Sequence, residues 1–93
     1  MKKYEASFIL RPELTEEARG ALIQEVCNVF TSLASEVTKV WEWGLRDLAY
    51  EIAGETKGYY VVLNVNATPE AVKEFERVCN IKENIIRYIA VAE

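Results

Sequence analysis

The hydrophobic pattern of this chain switches from period two to a helical period and back again, twice within 93 residues. That order of switches restricts the fold more than any single motif does. Tyr4 to Leu10 alternates: Tyr4, Ala6, Phe8 and Leu10 line one face of a strand, and Lys3, Glu5, Ser7 and Ile9 the other. Arg11-Pro12-Glu13 breaks the alternation. Thr15 is then placed to cap a helix whose positive end is met by Glu16 and Glu17. The helix is predicted to run to about Leu33, with Leu22, Val26, Val29, Phe30 and Leu33 as its buried stripe; Gly20 weakens it without ending it.

A second strand is predicted from Glu36 through Val37 and Val40 into the stretch Trp41–Ile52. That stretch is rich in aromatic and branched residues, yet Gly44 lies inside it and Arg46 and Asp47 interrupt its apolar run. A bent or bulged strand fits, one that buries some side chains and offers others to a partner. Ala53-Gly54-Glu55-Thr56-Lys57-Gly58 reads as the hairpin turn, and Tyr59–Val65 as a central third strand. Thr68 and Pro69 start a second helix with Val72, Phe75, Val78 and Cys79 buried and Asn80 near its end. Ile85–Val91 is the fourth strand. Strand, helix, strand, strand, helix, strand is a split βαβ pattern, and the crossover rule places strands one and three side by side. The expected architecture is α+β: a single ferredoxin-like βαββαβ sandwich over residues 1–93, a four-stranded antiparallel sheet with both helices on one face. The other face has no covering layer, so it must be polar, solvated or bound.

Composition narrows the function. With 51% hydrophobic residues the chain has material for one core, and no stretch approaches a membrane span or a signal peptide, so an intracellular protein is expected. There is no histidine, and Cys27 and Cys79 are far apart, which removes the usual zinc, haem and redox signatures and makes both cysteines small core residues. The net charge of −4 argues against nucleic-acid binding by bulk attraction. Binding of that kind must come from a local patch, for which Lys2, Lys3, Lys39, Arg46 and Arg87 are the candidates. Trp41 and Trp43 share a face if the strand is regular; Trp43, Tyr50 and Tyr60 are the candidates for contact with a partner. Tyr59-Tyr60 invites comparison with RNA-recognition sheets, but the basic-glycine-aromatic core of those sheets is missing. Arg11 stands where acylphosphatases bind phosphate, but Pro12-Glu13 replaces the amide donors with a ring and an anion. No catalytic constellation emerges.

Several segments together resemble one family. Lys3-Tyr4-Glu5, Leu10-Arg11-Pro12, the run Trp43-Gly44-Leu45-Arg46-Asp47-Leu48-Ala49-Tyr50-Glu51-Ile52, Lys57-Gly58-Tyr59-Tyr60 and Ile85-Ile86-Arg87-Tyr88 are similar to the family of the sixth protein of the bacterial small ribosomal subunit. The resemblance implies a structural, RNA-binding protein of the cytoplasmic small subunit that pairs with the eighteenth small-subunit protein. It implies no catalysis, cofactor, membrane or small-molecule substrate. It also accounts for the charge, because in that family the basic partner supplies much of the positive potential. Ala90-Val91-Ala92-Glu93 lacks the basic residue some members carry there, so no RNA contact by that terminus is implied. The competing expectation is a regulatory or oligomerising module whose open sheet face self-associates.

Overall fold

A computed structural model describes residues 1–93. In chain order the elements are β1 (Lys2–Leu10), α1 (Glu16–Ser32), β2 (Glu36–Ile52), β3 (Glu55–Ala67), α2 (Pro69–Ile81) and β4 (Ile85–Ala92). The strands form one antiparallel sheet in the order β2-β3-β1-β4, so β1 and β3 are neighbours, as the crossover argument requires.

Alternation decides which side of the sheet carries the core. Ala6, Phe8 and Leu10 of β1 sit opposite Leu63, Val61 and Tyr59 of β3, on the side covered by both helices. Leu22, Ile23, Val26 and Phe30 of α1 and Ala71, Phe75 and Cys79 of α2 fill the space above them. Phe75 is the centre of this layer, with its ring centroid 5.4 Å from Phe30, 6.2 Å from Phe8 and 6.3 Å from Tyr88. The α2 stripe differs from expectation. Residues 71, 75 and 79 recur every four positions and are buried, which leaves Val72 and Val78 half-buried at the flanks. The helix also runs one residue past Asn80. Cys79 belongs to the core, but Cys27 is only half-buried.

Both helices begin as their sequences dictate: Thr15 Oγ1 accepts from the Ala18 N–H and Thr68 Oγ1 from the Ala71 N–H, each at 3.1 Å. Helix α1 ends in a left-handed residue, Ala34 (φ +56°), across which the Ser35 N–H donates to the Phe30 carbonyl at 3.0 Å. Ser35 Oγ also accepts from the Thr68 N–H, tying the end of α1 to the start of α2.

The β2–β3 turn is shorter than predicted. Ile52 pairs with Glu55, leaving only Ala53 and Gly54 between the strands, at φ +51° and +81°. Positive φ at both central residues marks the hairpin turn whose twist matches the flanking strands, so the ladder resumes at Glu55, in what reads as turn. Ala53 occupies a conformation that favours Asn or Gly. Ala53→Asn should therefore raise stability by roughly 1 kcal/mol, seen as a higher denaturant midpoint at constant m value. A lower midpoint would mean that the turn conformation is not what limits this hairpin.

Candidate nucleic-acid interface

The side of the sheet away from the helices is shaped by three interruptions in β2. Val37 pairs with Val65 and Lys39 with Asn64, so Thr38 and Lys39 together oppose one residue, and the Thr38 hydroxyl donates to the Asn64 carbonyl at 3.0 Å. Glu42 pairs with Val61 and Gly44 with Tyr60, which makes Trp43 the extra residue of a second bulge. Gly44, at φ +87°, supplies the backbone freedom for that kink. Between Asp47–Lys57 and Ile52–Glu55 the mismatch is larger: residues 48–51 face Thr56 alone.

Those four residues leave the ladder and fold over the open face. Leu48 reaches Gly58, where an added Cβ would lie 3.5 Å from Leu48 Cδ2 and would collide with Ile9 Cγ2. Tyr50 goes further and accepts a hydrogen bond at Oη from Arg87 of β4, on the opposite edge of the sheet. A groove of about 280 Å³ remains between tip and sheet, lined by Ile9, Leu48, Tyr50, Tyr60, Arg87 and Ile89 among others. One end of the face expected to be uncovered is thus covered by the chain's own hairpin, which is why Ile9, on the open side, is buried. Gly58→Ala should cost about 1–3 kcal/mol through the clash with Ile9. A solvent-exposed hydrogen-exchange signal at Leu48–Tyr50 should accompany the loss; a neutral effect would show that the tip is loosely held.

The candidate residues distribute over this face as period two requires. Lys3 is opposite Asn66, Lys39 opposite Asn64, Arg46 opposite Gly58 and Arg87 opposite Ile9, all on the open side. Arg46 and Arg87 are not on neighbouring strands; they stand on the two edges. Lys2 is set apart from the others, because it pairs with the core residue Ala67 and so belongs to the helix side. Trp41, Trp43 and Tyr50 are 45%, 51% and 62% exposed, which removes all three from the core. The Lys39 ammonium lies 4.7 Å from the Trp41 ring, the Arg46 guanidinium 5.7 Å from Trp43 and that of Arg87 5.9 Å from Tyr50. Of the tyrosine pair, only Tyr60 faces the open side. Tyr59 turns to the helices, under Arg19 at 4.1 Å, and donates to Glu42 Oε1 at 3.0 Å; burial first, then Glu42, pushes its phenol up.

Six of the fifteen acidic residues are on the opposite layer. Helices α1 and α2 carry Glu16, Glu17, Glu25, Glu70, Glu74 and Glu76 against Arg19, Lys73 and Arg77. The chain is acidic, but its open sheet face is not where most of that charge resides. Residues missed by sequence reasoning are Leu48 and Ile89, which line the groove, and Gly58, against which Ile9 and Leu48 close; the Gly58 beside two tyrosines was the available signal for a close approach.

Arg11 spends its guanidinium on structure: Nε donates to the Glu83 carbonyl at 2.9 Å and Nη1 pairs with Glu55 at 3.0 Å, clasping the end of β1 to β3 and to the turn before β4. Burial, with Glu76 adding to it, pushes the Cys79 thiol up to about 12, and burial raises Cys27 as well. Both remain protonated at neutral pH, without thiolate reactivity.

Comparison with known proteins agrees with this architecture. The family model described as Ribosomal protein S6 matches residues 3–92. The crystal structure of 30S ribosomal protein S6 from Thermotoga maritima is similar at 28% identity and a TM-score of 0.93, covering 99% of this chain and 87% of that one. The chain therefore belongs to the ribosomal protein S6 family, structural and non-enzymatic proteins of the small ribosomal subunit.

Proposed function

We propose that this protein binds small-subunit ribosomal RNA as one half of a heterodimer with the eighteenth small-subunit protein, and that the open sheet face serves both partners. The observation that carries this reading is the composition of that face. Exposed Trp41, Trp43, Tyr50, Ile89 and Val91 lie among Lys3, Lys39, Arg46 and Arg87. An apolar surface of this kind is unfavourable in a free monomer and marks an interface, while the interspersed cations can neutralise phosphates. The groove end, with Tyr50 and Tyr60, suits a protein partner, because rigid aromatic side chains beside a preformed depression make strong anchors. Lys3, Lys39, Arg46 and Arg87 face the RNA, and the basic partner supplies the remaining positive potential. Lys2, at the margin of the helix side, contributes at the periphery.

The test is co-sedimentation of the protein with small-subunit RNA, with and without the eighteenth protein. Partner-dependent migration with the RNA is expected. A homodimer free of RNA and indifferent to the partner would overturn the proposal in favour of self-association through the same face.

A further inference from the structure

Trp41 and Trp43 line one cleft of about 250 Å³ together with Val62, Glu5 and Asn64. We infer that this cleft is a stacking site for one unpaired nucleobase, read at its edge by Glu5 and Asn64. The inference rests on the RNA-binding reading above and deepens it; Trp43, a candidate for the protein partner on sequence alone, contacts RNA instead.

Three features favour a base over a protein side chain. The two indoles are half-exposed and share a cleft because strand alternation places residues 41 and 43 on the open side, and aromatic platforms of this sort accept any planar base. A cation lies over one face of each ring, Lys39 at 4.7 Å from the Trp41 centroid and Arg46 at 5.7 Å from that of Trp43, so a base stacks on the other face and its flanking phosphates meet the cations. Beside the apolar Trp41, Trp43 and Val62, the cleft carries Glu5 and Asn64, where an apolar anchor would need it dry. Asn64 sits opposite both Glu5 and Lys39 in register, and the Glu5 carboxylate has no ion pair in the protein. An inserted Leu or Phe would desolvate that carboxylate without a partner. An exocyclic amine would donate to it, as carboxylates accept from cytosine N4. Adenine, cytosine and guanine carry such an amine and uracil does not, so the cleft should discriminate against uracil.

Tryptophan fluorescence of the purified protein at low salt, titrated with short single-stranded oligocytidylate, oligoadenylate or oligouridylate, tests this. Saturable quenching by the first two is expected, with oligouridylate severalfold weaker. Trp41→Ala and Trp43→Ala should each weaken binding about tenfold. Trp43→Phe, which keeps a stacking ring and the fold, should restore most of it, and Glu5→Gln should erase the discrimination against uracil. Absence of quenching, or equal affinity in the alanine variants, would overturn the stacking site. In that event, intact partner-dependent binding to ribosomal RNA would leave the parent reading standing. Weakened association of Trp43→Ala with the eighteenth protein, with no effect on oligonucleotides, would assign the cleft to the protein partner and overturn the inference.

Discussion

Replacing Arg46 and Arg87 together with glutamate should weaken binding of the heterodimer to small-subunit RNA by about 3 kcal/mol and reduce the slope of log affinity against log salt by roughly two. The two residues are exposed on the same face but stand on opposite edges of the sheet, so their phosphate contacts are independent and their effects should add. Arg87 has a second role that must be separated from the first, because it donates to Tyr50 and helps hold the hairpin tip. Arg46→Glu alone leaves that hydrogen bond in place and should give about half the effect. Tyr50→Phe removes the bond without changing charge and should leave the salt slope alone. An unchanged slope in the double variant, with the fold intact, would take both arginines out of the RNA contact.

Phe75→Ala should destabilise the isolated domain by about 4 kcal/mol, the largest single effect expected on the fold. The side chain is fully buried and meets Phe8, Phe30 and Tyr88, so truncation removes contacts to the sheet, to α1 and to β4 at once. For a domain of this size that corresponds to a fall in Tm on the order of 15–30 °C. Calorimetry or a denaturant melt would measure it. A loss below about 1 kcal/mol would mean that the helices collapse into the vacated space.

Much of this fold was readable because each element carries its own reason. Tyr4–Leu10 alternates since only one of its faces meets helices; Thr15 and Thr68 cap because their hydroxyls satisfy orphan N–H groups at the helix starts. The hairpin end was harder to read. Glu55-Thr56-Lys57 has the polarity of a turn because that part of β3 lies opposite the displaced residues 48–51 of β2, with little apolar surface of its own. Leu48-Ala49-Tyr50 has the composition of a strand, and its departure from the ladder is decided by Ile9, Gly58 and Arg87, which are distant in sequence. The site was legible in its residue types and less so in its grouping. Trp43, Tyr50, Arg46 and Arg87 stood out by chemistry. That Arg87 meets Tyr50 across two intervening strands, or that Glu5 and Asn64 join the tryptophans, depends on register, which short-range pattern does not specify.

The interrupted ladder of β2 also bears on how the chain behaves before it finds its partners. β2 is a 17-residue edge strand, long enough to recruit an identical strand from another copy and start a growing ribbon. Its outward N–H and C=O groups are broken into short runs at Thr38, at Trp43 and at residues 48–51, so no continuous template is presented. Stickiness and propagation are thereby separated: the apolar face can hold a partner of matching shape, while the adjacent edge cannot extend that contact into a fibre. Under the function proposed above, a subunit made ahead of its RNA would stay dispersed yet competent to bind.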